Sequence, residues 1–162
     1  SRFPAVAPKR NIAGPQRVKY STWSKERALG ALAIAQVDFE QINGNVAGYS
    51  YERNVAVSPV AKYPFKTLMH EIGHVVLGHT SEQGLEDYRE HRGSKEFQAE
   101  STAYLALNEL SATDQFDAAE SRGYIQGWMR NERPDNASIR QVFTATNKIL
   151  KAGRCYAENV SM

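Results

Sequence analysis

Apolar residues recur along this chain in groups whose spacing predicts mostly helices. The first twenty residues show no such period and carry three prolines, Pro4, Pro8 and Pro15. After them, Leu29, Leu32, Ala33, Ala35, Val37 and Phe39 form a wide apolar face, which predicts a helix from Trp23 to about Phe39 capped by Ser21 or Thr22. Asn43-Gly44-Asn45 is turn chemistry. Two short strands are expected at Val46–Tyr51 and Val55–Ser58, separated by Glu52-Arg53-Asn54 and stopped by Pro59; this is the one clear β signal. Pro64 suits a first helical turn and Gly78 a C-terminal cap, bracketing a helix over Phe65 to Leu77. The acid-rich stretch from Thr80 to Gly93 reads as a loop or partial helix, and Ser94 is a cap for a helix running to about Leu110. Further helices are expected near Asp117–Arg130 and Ala137–Ala152, with Arg133-Pro134-Asp135 as the turn between them. The fold class is therefore α+β, mostly helical, with a small β-hairpin or sheet packed on the Phe65–Leu77 helix and a helical C-terminal part.

Composition narrows this picture. The 162 residues, 41% hydrophobic and 23% charged, suffice for one packed core. Cys155 stands alone, so no intramolecular disulfide is possible and a cytoplasmic location is expected. The longest apolar run, Ala28 to Val37, is about half the roughly 20 residues a membrane span needs, and no signal peptide or membrane partner is expected. The net charge of +2 hides segregation: residues 1–27 hold seven Lys/Arg against one Glu, whereas residues 80–120 hold ten acids against three bases. Residues 1–20 read as a basic, proline-containing linker or arm, with DNA phosphate contact as the other use of its charge, and residues 21–162 as one domain.

The chemistry concentrates in His70-Glu71-Ile72-Gly73-His74, an H-E-x-x-H pattern inside a predicted helix. Four residues advance a helix by about 400°, so His70 and His74 share a face and can turn ring nitrogens toward one zinc ion. Glu71 is rotated by about 100°, beside the ion, where a carboxylate serves as general base. With four histidines in the chain, a chance match is expected roughly 0.01 times. Gly73 also argues against an ordinary amphipathic helix, because it costs about 1 kcal/mol relative to Ala unless packing needs it.

Two histidines leave a zinc site one ligand short. His79, His91 and the acids of the next helix are the candidates. The H-E-x-x-H-x-x-G-x-x-H spacing fails, since Leu77 and Thr80 stand where Gly and His would be required. Glu96 and Glu100 lie one turn apart and continue into Ala103, Leu107 and Leu110, so both carboxylates project from an inward-facing stripe.

Glu96-Phe97-Gln98-Ala99-Glu100 resembles the E-x-x-x-[DE] element of gluzincin peptidases. That resemblance implies that Glu96 is the third zinc ligand and that Glu100 orients a zinc-bound histidine, although the Glu at position 100 leaves an exchange of roles open. The run from His70 to His79 resembles the active helix of ImmA/IrrE-type metallopeptidases. Residues 45–155 together resemble the C-terminal metallopeptidase domain of ArdC-like antirestriction proteins of plasmids and phages, through Glu96–Glu100, Tyr124-Ile125-Gln126-Gly127-Trp128 and a final helix over Ser138 to Ala152. In that family a single-stranded-DNA-binding domain precedes this unit, which would make residues 1–20 linker.

The implied activity is zinc-dependent hydrolysis of a protein or peptide substrate, with Glu71 as base and His91, Tyr88 or Tyr124 as donor to the oxyanion or substrate. His79 is expected to be structural or to support a ligand. Either predicted strand would offer an edge for an extended substrate. The alternative function is a non-enzymatic zinc-stabilised module that binds protein or DNA. Deaminase chemistry lacks its P-C-x-x-C half.

Overall fold

The computed structural model describes residues 21–41, 46–129 and 133–156. The basic arm at 1–20 and the Asn43-Gly44-Asn45 turn lie outside them. In chain order the elements are β1 (Ser21–Trp23), α1 (Lys25–Leu32), β2 (Ala35–Gln36), β3 (Gly48–Tyr51), β4 (Asn54–Val57), α2 (Pro64–Val76), α3 (Glu82–Glu90), α4 (Arg92–Glu109), a 3-10 turn (Thr113–Gln115), α5 (Ala118–Met129), α6 (Asn136–Gly153) and β5 (Arg154–Tyr156). The mostly helical α+β class holds. No helix among the described residues is long and apolar enough to cross a membrane.

The first helix is shorter than its apolar positions predict. Ser24, rather than Ser21 or Thr22, caps it by accepting from the Arg27 amide at 3.1 Å, and it stops at Leu32 because Ala33 turns left-handed (φ 57°). Ala33, Ala35, Val37 and Phe39 repeat every two residues, which is strand spacing, and β2 pairs in parallel with β4. The Arg53 guanidinium donates to the Leu32 carbonyl and ties the hairpin turn to this helix end.

The hairpin forms as Gly48–Tyr51 against Asn54–Val57, joined at Glu52-Arg53. Glu52 adopts φ 54°, a strained region for a non-glycine residue, and Thr80 holds it there through two hydrogen bonds at 2.7 and 3.2 Å. Strand order is β2-β4-β3. Consequently β4 is paired on both sides, and β2 and β3 are the two edge strands of this sheet among the described residues.

Helix α2 starts with Pro64 at its first position and ends at Val76 with Leu77 as its cap, after which Gly78 (φ 86°) takes the left-handed conformation that lets the chain leave. Leu68, Met69, Ile72 and Val75 face the core with Val55, Leu107, Phe116 and Ile149. Fully burying such side chains is worth about 1.5–3 kcal/mol each, which fixes how α2 is rotated against its neighbours.

Of the loop and partial helix expected for the acid-rich stretch, the helix is found, over Glu82–Glu90. Ser81 caps α3 by accepting from the Gly84 amide at 2.9 Å, and α4 begins at Arg92, two residues ahead of Ser94. Small residues let α4 approach α2 closely: a Cβ on Gly73 would stand 3.4 Å from the Ala99 carbonyl oxygen and 3.6 Å from Thr102 Cβ. Those are ordinary contacts, so Gly73→Ala is expected to fold normally and gain up to about 1 kcal/mol of helix propensity. Gly73→Leu is expected to lose about 1–3 kcal/mol by overpacking the α2–α4 seam. Urea denaturation of both variants checks this, and equal stabilities would refute it.

β1 and β5 form a separate antiparallel pair. Trp23 lies flat against Gly153, where a Cβ would come within 2.6 Å of the indole, and its Nε1–H donates to the Ile149 carbonyl at 3.0 Å.

Candidate metal centre

The cleft-facing side of α2 carries Lys66, His70 and His74 at four-residue intervals, and α4 brings Glu96 across from them. The two histidine Nε2 atoms are 3.1 Å apart; Glu96 Oε1 is 3.3 Å from the first and Glu96 Oε2 is 2.9 Å from the second. One ligand atom from each of the three residues falls within a 4.8 Å group. Four ligands at 2.0–2.1 Å around zinc would stand about 3.3 Å from one another. The three side chains are thus close enough to offer one ligand atom each to a single metal ion, in an open cleft of about 550 Å³.

Outer partners turn each histidine toward this point. His70 Nδ1–H donates to Glu100 Oε1 at 2.7 Å, and Glu100 is itself fixed by Ser121 Oγ at 2.6 Å and Lys66 Nζ at 3.2 Å. Glu100 is fully buried, so these three partners from α2 and α5 are what make its charge tolerable. His74 Nδ1 meets His79 Nδ1 at 2.9 Å, and His79 Nε2 meets Gln98 Oε1 at 2.9 Å.

The carboxylates around the two histidines favour positive charge at this cluster. Burial opposes protonation of His70, yet the Glu100 and Glu96 carboxylates outweigh it and hold its pKa up at about 10. Burial likewise opposes ionisation of Glu100 and Glu96, but the neighbouring histidines prevail. Glu100 is held down at about 2 and Glu96 well below the usual carboxylate range. His79 goes the other way: its burial and the nearby His74 push it down to about 4, so it is neutral at ordinary pH.

Of the other sequence candidates, Glu71 lines the cleft beside the cluster and accepts from Ser50 Oγ at 2.7 Å. Tyr88 and Tyr124 also line it; their hydroxyls donate to Glu96 at 2.8 and 3.5 Å, and burial raises both to about 12, so they stay protonated. His91 lies apart, exposed at the α3–α4 junction and paired with Asp87 at 2.9 Å. Ser50, Gln98 and Ser121 were not foreseen, because their partners are 19 to 21 residues away in sequence. Lys66 was missed as well, although its place one turn before His70 on the same face is a signal that could have found it.

Compared with known proteins, the chain matches no family model, no curated protein and no solved structure.

Proposed function

We propose that this domain is a zinc-dependent peptidase. The observation that carries the reading is the convergence of His70 Nε2, His74 Nε2 and Glu96 on one point at 2.9–3.3 Å spacing, with Glu71 beside it in an open cleft. His70, His74 and Glu96 would hold the ion, which when bound lowers the pKa of a water and polarises a carbonyl. Glu71, steadied by Ser50, accepts the proton of the attacking water and returns it to the leaving amine. Tyr124, 43% exposed and protonated at neutral pH, is the hydroxyl best set to donate to substrate; Tyr88 is more enclosed against Glu96. Incubating the zinc-loaded chain with a mixed peptide library and reading cleavage products by mass spectrometry tests the activity. Absence of zinc-dependent cleavage, with partner binding retained, would favour the binding-module alternative.

Of the two strands considered for substrate pairing, β4 is interior and β3 offers its free edge to the cleft. Because the Ser58 amide donates to the Ala47 carbonyl at 2.8 Å, antiparallel alternation turns the backbone groups of Gly48 and Ser50 outward. An extended substrate bound there pairs at every second residue. N-methylating those alternate amides in a cleaved peptide is expected to reduce turnover about tenfold. Methylation of the intervening amides should be mild, and equal effects at all amides would refute pairing.

A further inference from the structure

We propose that His79 is a positioning residue that fixes the proton of His74 on Nδ1 and so leaves the His74 Nε2 lone pair facing His70 and Glu96. This rests on the reading of those residues as a metal centre, and it assigns to a neutral chain of groups a task usually given to a carboxylate.

The direction of every hydrogen bond in the chain follows from one end. Gln98 Nε2 lies 3.3 Å from the Ser138 carbonyl oxygen and 2.7 Å from Gln141 Oε1. A backbone carbonyl can only accept, so the amide nitrogen of Gln98 faces α6 and its Oε1 faces His79. An amide oxygen also only accepts, which requires the proton of His79 on Nε2, 2.9 Å away. In a neutral imidazole the other nitrogen is then an acceptor. That nitrogen, Nδ1, stands 2.9 Å from His74 Nδ1, which must therefore donate. In a neutral His74, the form a metal ligand must take, Nε2 is then left without a proton and its lone pair faces the point shared with His70 and Glu96 Oε2, 2.9 Å away.

The opposite arrangement would place a proton on His74 Nε2 and block the site. As a neutral ligand, His70 reaches the same tautomer by another route, through the Glu100 carboxylate. With Glu71, Glu96 and Glu100 already buried around the two histidines, a further carboxylate behind His74 would add like charge; the imidazole and amide set the tautomer without it. His79 is 4% exposed and Gln98 2% exposed, so water does not compete for these bonds.

Long-range proton–nitrogen NMR on the histidine-labelled full chain reads the tautomers directly. The expected result in metal-free protein is His79 protonated on Nε2; after adding zinc, His74 carries its proton on Nδ1. His79→Leu removes the acceptor and is expected to weaken zinc binding about 10- to 100-fold, measured by competition with a chromogenic chelator. His79→Asn, whose side-chain oxygen occupies nearly the place of Nδ1, is expected to recover affinity to within about threefold of the parent. A His79 proton on Nδ1, or zinc binding by His79→Leu as tight as the parent's, overturns the proposal. If the parent binds no zinc, the metal-centre reading fails, and the metal-free spectrum alone then upholds or overturns the tautomer assignment.

Discussion

Glu71→Gln is expected to bind zinc within about threefold of the parent and to lower peptide hydrolysis by about 10²- to 10⁴-fold, the usual worth of a positioned base. Glutamine keeps the length of the side chain and the oxygen that accepts from Ser50 Oγ at 2.7 Å, so the cleft wall is preserved while proton acceptance is lost. Glu71 offers no atom to the group formed by His70, His74 and Glu96, which is why the ion should be indifferent to the change. Turnover and zinc content measured on the same sample separate the outcomes. Undiminished cleavage would remove Glu71 from the mechanism, and loss of zinc would mean that it is a ligand.

Zinc is expected to enter by displacing a proton from His70. The Glu100 and Glu96 carboxylates, acting against burial, hold that imidazole at about 10 in the metal-free protein, so below this pH its Nε2 carries the positive charge the site requires. The apparent zinc affinity should therefore rise about tenfold per pH unit between pH 6 and 8. Calorimetry in buffers of different ionisation enthalpy should detect at least one proton released per ion. A pH-independent affinity with no released proton would refute the arrangement.

The same shifts govern the metal-free fold. His70 is raised above its ordinary 6.5, so its contribution is complete below 6.5 and disappears as the pH climbs toward 10. Glu100 is depressed from 4.5 to about 2, so its contribution is complete above 4.5 and disappears as the pH falls toward 2. The window in which both act is pH 4.5–6.5. The benefit of adding zinc should widen above it, as metal-free stability falls and affinity grows.

How much of this was legible in the sequence depends on the reach of each signal. The His70–His74 and Glu96–Glu100 pairs are each set by one helical turn, so local spacing found both helices and the three candidate ligands, though not Lys66. β2 escaped because Ala33 to Phe39 satisfies a strand period inside an apparent helical face, and pairing with β4, far along the chain, decides between the two. α3 stayed undecided between loop and partial helix because its acids favour neither, although Ser81 carried the capping signal. Ser50, Gln98 and Ser121 become partners of the cluster through the packing of β3, α4 and α5 around α2, and no window of sequence holds both members of those pairs. His79 lay in plain view five residues beyond His74, but its task depends on α6 supplying a carbonyl behind Gln98.

The register of β1 and β5 has a mechanical meaning. Ser21 stands opposite Tyr156, Thr22 opposite Cys155 and Trp23 opposite Arg154, so tension applied at Ser21 and Tyr156 loads the first pair alone. The strands would unzip one pair at a time rather than shear, and the tear would travel only as far as Trp23, anchored to Ile149 and lodged against Gly153. The indole then acts as a crack-stop, leaving the seam between α2 and α4, and with it the histidine cluster, slack while the outer strands yield.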